Sequence, residues 1–226
     1  MAMVADQLLK KEAVFVTNHR NNPNKRIKQD FIVSDHPGKL DKLCDLLKAE
    51  AGKVGGADKI RRTLVFVNTK RMSDMAAMYL CQRGIPATSI NGDRGQHLRE
   101  QALSDFRNHK VSVLCATDVC ARGIDVKQLD HVINMDLPTD AITYVHRIGR
   151  TGRIANGWST TFVEGGEPLL NEIADMIRES NEEVPESLKA AISGSGGSVA
   201  TTSANNVPVS GQRAVPAAAA DENDDW

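Results

Sequence analysis

Between residues 26 and 192 the chain alternates β-branched apolar runs with stretches of helical period. That alternation predicts a parallel α/β sheet flanked by helices on both faces. The predicted strands are Ile27–Val33, Leu64–Asn68, Thr88–Asn91, Val111–Ala116, His131–Met135 and Ser159–Val163. Several are short continuous apolar runs, as strands buried on both faces should be. Leu40, Leu43, Leu46 and Leu47 make one helical stripe, and Met72, Met75, Ala76 and Tyr79 make a second. Gly84 follows the second stripe where a left-handed helix end belongs. The flanks break the pattern. Residues 4–17 predict one helix and one strand, and a lone strand is not stable by itself. Residues 1–25 are therefore expected to be a remnant of a preceding domain plus a linker, and 26–192 the main domain. From 193 to 226 the chain is Gly, Ser, Thr, Ala and Pro without apolar period, closing on acids, and is expected to be a disordered acidic tail.

Aromatics are only 4% of the chain, so the core must rest on Leu, Ile, Val, Met and Ala. No apolar run approaches the roughly 20 residues that span a bilayer, and the N-terminus lacks a secretory apolar segment. The expectation is a soluble cytoplasmic protein, with the nucleus left open. Cys44, Cys81, Cys115 and Cys120 form no CxxC pair and no zinc spacing with histidine, so they are expected to be reduced thiols packed as small hydrophobes, with no metal site. The net charge of −1 divides into +2 over residues 1–25, −3 over 194–226 and zero in between. A neutral domain cannot hold nucleic acid by a general basic field, so any such contacts must be few and positioned.

Four segments follow predicted strands, where open α/β sheets bind their ligands. In YVHRIGRTGR (144–153), Arg147, Arg150 and Arg153 recur every third residue between Gly149 and Gly152. Glycine allows close backbone approach, and arginine presents a planar fork to phosphate oxygens. The bland alternative is a basic turn, or arginines paired with neighbouring carboxylates. ATDVCARGID (116–125) offers Thr117, Arg122, Gly123 and Asp125, a set suited to a phosphodiester backbone and a ribose diol, or to nothing more than a tight turn with Asp118 as cap. NGDRGQHLREQ (91–101) opens a helix that Asp93 can cap, with Gln96 and Arg99 near an anion-favouring N-terminus. FVNTK (66–70) ends a strand with Thr69 and Lys70.

HRIGRTGR resembles motif VI of the DEAD-box helicases, ATDVCARGID their motif V, LVFVNTK their motif IV, and GDRGQHLREQ the phosphate-gripping segment after it. All four stand in family order over about residues 26–190, and His146 distinguishes the set from the DEAH-type relatives. The segment EEVPESLKAA (182–191) with the acidic end is most similar to the Vasa-like subfamily. Cys120 and Trp158 depart from the usual pattern. The P-loop, the DEAD tetrapeptide and the SAT triad are not in the sequence. The resemblance implies the C-terminal RecA-like domain of an ATP-dependent RNA helicase, inactive without its N-terminal RecA-like partner domain. It implies Arg150 and Arg153 as catalytic arginine fingers on ATP, whose Mg2+ the first domain mainly holds. It implies Asp125 on the ribose and His146, Arg147 and Gly123 at the nucleotide interface. RNA, read without sequence preference, would be gripped by Thr69, Gln96, Arg99, Thr117, Arg122 and Gly123. The rival class is a non-catalytic docking module, in which the tail and its Trp226 bind protein partners.

Overall fold

The structure is a computed structural model that describes residues 23–54, 60–121, 129–153 and 155–194. The expected helix and strand before residue 18, the acidic tail from 195, and Arg122, Gly123 and Asp125 lie outside the described residues.

Among the described residues six strands form one sheet: β1 (Ile27–Val33), β2 (Thr63–Phe66), β3 (Ala87–Ile90), β4 (Val113–Ala116), β5 (His131–Asn134) and β6 (Gly157–Val163). The order across the sheet is β1-β6-β5-β2-β4-β3, and every pairing is parallel. All six expected strands are present, with ends shifted by a few residues where the ladder stops. Asn68 and Asn91, for example, lie past the paired segments and turn their side chains to other work.

Among the described residues seven α-helices connect and cover the strands. They are α1 (Lys39–Val54), α2 (Lys70–Gln82), α3 (Gln96–Arg107), α4 (Asp118–Ala121), α5 (Ala141–Ile148), α6 (Pro168–Glu179) and α7 (Glu186–Ile192). Because side chains alternate along a strand, β2 feeds two cores. Val65 and Val67 meet Leu43 and Leu47 of α1 and Ala76 and Leu80 of α2 on one face. Leu64 and Phe66 meet Phe106 of α3 and Cys120 and Ala121 of α4 on the other. The second face continues over β1 and β6, where Phe31 and Val163 pack with Tyr144, Ile148, Leu170, Ile173 and Leu188 of α5 to α7. Strands β2, β4 and β5 are buried at every position. Accordingly β2 and β4 run mostly apolar instead of alternating, while in β5 His131 and Asn134 are buried with bonds to Thr160 and Thr161.

The leucine stripe of α1 is as expected, with Leu43 and Leu47 sealed and Leu40 and Leu46 at the margin. The stripe of α2 is rotated. Ser73, Ala76, Ala77 and Leu80 are its buried residues, while Met72 and Tyr79 only flank the core. Small residues bring this helix close to the sheet, so the bulkier side chains fit only at the edges. Gly84 has φ +79°, the left-handed conformation expected after α2. Cys44, Cys115 and Cys120 are buried free thiols, but Cys81, in the last turn of α2, is exposed at the sheet edge, its Sγ donating to the Ala87 carbonyl at 3.1 Å.

Candidate functional site

The segments leaving the carboxyl ends of β5, β2, β4 and β3 stand side by side along one edge of the sheet, in that order. Two groups of functional side chains collect there.

The first centres on Arg147, in the last turn of α5. This helix starts at Asp140, whose carboxylate accepts from the Thr143 backbone N–H at 2.7 Å and from the Thr143 hydroxyl at 2.8 Å. Arg147 is 2% exposed, one of the largest fully buried side chains in the domain. Its Nε and Nη2 donate to the two oxygens of Asp118 at 2.7 and 2.6 Å, a bidentate pair. Nη1 donates to the Asp136 carbonyl at 2.7 Å and Nη2 also to Asn68 Oδ1 at 3.0 Å. The guanidinium also lies 5.1 Å from the centre of the Phe66 ring. Thus one arginine ties together the segments after β2, β4 and β5. Asp136 extends the network, accepting from the Asn68 backbone N–H at 2.9 Å and lying 3.9 Å from Lys39, which is itself 3.6 Å from Glu164. For Arg147 the bland alternative of a neighbouring carboxylate holds, and Asp118 is that carboxylate rather than a cap.

The other arginines of this segment are placed differently. Arg150 is half-buried and lines a cleft of about 330 Å³ together with Phe66, Asp118, Ala121, Thr143, His146 and Arg147. His146 is exposed on its rim, and Arg153 is exposed with its Nε donating to the Gly149 carbonyl at 3.0 Å. The backbone between them is fixed from below. Thr151 donates its hydroxyl to the Leu129 carbonyl at 2.6 Å. Gly152 has φ +71°, and a Cβ there would sit 2.5 Å from Ile27 Cγ1, so only glycine fits. Asn24, in the expected linker, donates to the Gly152 carbonyl at 2.9 Å, so the stretch just before β1 packs against the arginine segment.

The second group lies toward β3. Thr69 caps α2, its Oγ1 accepting from the Met72 N–H at 3.1 Å while its own proton remains available to an acceptor. Thr117 is 8% exposed at the start of the turn into α4. Gln96 opens α3 and bonds Glu100 at 2.7 Å, and Arg99 reaches Gln96 at 3.4 Å from one turn on, with its Nε buried and without a hydrogen-bond partner. Asp93 does not cap α3. The N-cap is Gly95, and Asp93 instead pairs with Lys70 across the gap to α2. Asn91, fully buried, fills the space between these helices.

Sequence reasoning missed Asn68 and Asp136. The signal was present: three arginines at close spacing require nearby acceptors, and both residues directly follow strands that end at this edge. It also gave no partner for Trp158, whose ring carries the Arg61 guanidinium 3.8 Å from its centre. A larger hollow of about 500 Å³ lies at the amino ends of β1 and β6, lined by Asn24, Arg26, Lys28, Trp158 and Glu182 among others. That is the wrong end of a parallel sheet for the usual ligand crevice, so the smaller cleft beside Arg150 is the better candidate. Among the described residues no group of three or more His, Cys, Asp or Glu is arranged to hold a metal ion.

Comparison with known proteins agrees with this fold. Residues 38–155 match the family described as the helicase conserved C-terminal domain. The solved C-terminal domain of the DEAD-box protein Dbp5 is 31% identical, with a TM-score of 0.58 over 69% of this chain and 86% of that one. The E. coli DEAD-box protein SrmB, solved bound to the regulator of ribonuclease activity A, is 32% identical, with a TM-score of 0.57 over 73% of this chain and 94% of that one. S. cerevisiae Dbp5 bound to RNA and ADP BeF3 is 26% identical, with a TM-score of 0.64 over 81% of this chain, which spans only 46% of that longer protein. The chain belongs to the helicase conserved C-terminal domain family, in the form that DEAD-box RNA helicases carry.

Proposed function

We propose that this domain is the closing half of an ATP-dependent RNA helicase, placed after an N-terminal RecA-like domain that binds ATP and Mg2+. The observation that carries the reading is the division of labour among the arginines. Arg147 is committed to Asp118, Asp136 and Asn68, while Arg150 stands on the wall of the adjoining cleft and Arg153 is exposed beside it. A locked arginine that fixes the segment its neighbours stand on is what a positioned transition-state contact needs. Arg150 and Arg153 then meet the γ-phosphate when the two domains close. They stabilise the charge that develops on it, and such contacts contribute on the order of 10³ to 10⁵ in rate. His146 on the rim meets the first domain, and Arg147 acts by positioning rather than by touching nucleotide. Asp125 takes the ribose hydroxyls.

The second group grips RNA. Thr69, Gln96, Arg99 and Thr117, with Arg122 and Gly123 from the same motif, hold successive phosphates and 2′-hydroxyls, contacts that carry no base information. A bent strand that fits only the closed state is thereby separated from its complement. The sequence holds neither a P-loop nor a DEAD tetrapeptide, so without the first domain the chain is expected to hydrolyse no ATP. Within the family we place it nearest the Vasa-like subfamily, on the segment 182–191 that leads into and forms most of α7.

The test is ATP turnover by the intact helicase carrying Arg150→Ala or Arg150→Lys. Alanine should lower kcat by about a thousandfold with little change in ATP affinity. Lysine should not restore it, because a point charge lacks the two-pronged fork. Turnover within a few-fold of wild type for Arg150→Ala would refute the assignment.

A further inference from the structure

The turn at 91–95, between β3 and α3, contains two glycines and belongs to neither element. Left to itself such a turn would sample many conformations, and the first turn of α3 would wander with it. It is instead bound to α2 by side chains. Asp74, in the second turn of α2, accepts from Arg94 Nε at 3.2 Å and Nη2 at 3.0 Å through one carboxylate oxygen. The same oxygen accepts from the Ser89 hydroxyl, and the other accepts from Asn91 Nδ2 at 2.9 Å. Asn91 Nδ2 also reaches Ser73 Oγ at 2.9 Å, and its Oδ1 accepts from the Asp93 backbone N–H at 3.1 Å. Lys70 and Asp93 close the far side of the turn. Gly95, the last residue of the turn, supplies the carbonyl that receives the Arg99 N–H at 3.1 Å. The side-chain bonds that hold this turn therefore converge on the first two turns of α2, the helix that Thr69 caps.

We propose that Asp74 is a positioning residue for RNA. By holding Arg94 and Asn91 it fixes the N-terminus of α3 against that of α2, so that Gln96 and Arg99 meet the RNA backbone in register with Thr69. The proposal rests on the assignment of Thr69, Gln96 and Arg99 to RNA phosphates. It gives Arg94 an internal role, because its charge is met by Asp74 and its guanidinium points back to α2. A carboxylate is required, since four donors converge on it and an amide has a single oxygen to offer.

The experiment compares Asp74→Asn, Arg94→Gln and Arg99→Gln in the intact helicase. The affinity for a fluorescein-labelled oligo(U) strand is read by anisotropy between 50 and 200 mM salt with a non-hydrolysable ATP analogue. RNA-stimulated turnover is followed in parallel. Asp74→Asn should weaken RNA binding about tenfold, as coupled contacts do, with the salt slope unchanged and kcat recovered at saturating RNA. Arg94→Gln leaves Asp74 bonded to Ser89 and Asn91 and should weaken binding about threefold, also without change of slope. Arg99→Gln should weaken binding and lower the slope by about one. A variant that had merely lost its fold would lower kcat at saturating RNA instead of shifting the half-saturation point. If Arg99→Gln has no effect, the phosphate assignment of α3 falls and this proposal falls with it. If Arg99→Gln behaves as stated but Asp74→Asn binds like wild type, or Arg94→Gln itself lowers the slope by about one, only the role given to Asp74 is overturned.

Discussion

Arg147 and Asp118, 29 residues apart in sequence, form a bidentate pair at 2.6 and 2.7 Å in which the arginine is 2% exposed and the aspartate about a third exposed. The pair joins the helix that carries the arginine segment to the turn that follows β4. A buried arginine with its acceptors in place holds geometry, and removing one partner leaves an uncompensated charge.

Arg147→Lys should therefore destabilise the domain more than the conservative label suggests. Lysine cannot reach both oxygens of Asp118 and also the Asp136 carbonyl and Asn68. We expect a loss of about 2–4 kcal/mol, at the lower end of the range for a broken buried pair because Asp118 is partly in water. Urea unfolding of the 226-residue chain measures it, and a midpoint within error of wild type would contradict the bracing role.

Asp140 supports the same helix from its other end. The Thr143 backbone N–H, the Thr143 hydroxyl and the Thr139 hydroxyl donate to its carboxylate and hold its pKa below the ordinary aspartate value against a small effect of burial. A depressed carboxylate contributes stability above its unfolded pKa and loses it as pH falls through the folded one. The contribution should be complete above about pH 4 to 5 and fade below that. Asp140→Ala should cost about 1 kcal/mol at neutral pH, and the difference from wild type should shrink in acid. Thermal melts at pH 7 and pH 3.5 give both values, and a difference independent of pH would show that the cap is not the source.

The thiols divide by burial. Cys115, sealed in the centre of the sheet, has its pKa pushed up to about 12, chiefly by burial, with the nearby Cys81 and Asp74 adding to it. Because the thiolate is the reacting species, iodoacetamide at pH 8 should label Cys81 within minutes and leave Cys115 unlabelled until the chain is denatured. Peptide mass spectrometry resolves the two, and early labelling of Cys115 would mean that the sheet opens far more readily than its packing implies.

Much of the fold is legible in the sequence. The apolar runs at β2 and β4 announced a sheet buried on both faces, and the leucine spacing of α1 announced which side it turns inward. The glycines among the arginines read as room for a partner's approach, whereas Gly152 makes room for Ile27 of the same domain. The rotation of α2 was not legible. Met72 and Ala76 are both apolar, and hydrophobicity alone does not say that the helix sits so close that Ser73 and Ala77 must face the sheet. Nor was the fate of each charge. Asp93 and Asp118 both read as caps, yet one pairs with Lys70 and the other with Arg147, because the strand order brings together residues that are 23 and 29 positions apart.

The last prediction concerns the 226-residue chain by itself and follows from its charge. Residues 26–193 are neutral, and most of the cations near the second group are already matched: Lys70 by Asp93, Arg94 by Asp74. What remains for a phosphate is Arg99 and the Arg122 of the same proposal, together with hydroxyl, amide and backbone groups, which bond phosphates without displacing counterions. Binding to single-stranded RNA at physiological salt should then be weaker than micromolar. The dependence of log K on log salt should have a slope of only about −0.7 to −1.5, as for one or two neutralised phosphates on a single strand. Affinity in the intact helicase would come from closure, in which a second surface holds the same strand and the local concentration of each for the other is high. Anisotropy with a labelled oligo(U) strand over a range of salt decides it. Sub-micromolar binding with a slope of about −4 or steeper would require a basic surface that the described residues do not form, and would move the seat of RNA affinity away from α2 and α3.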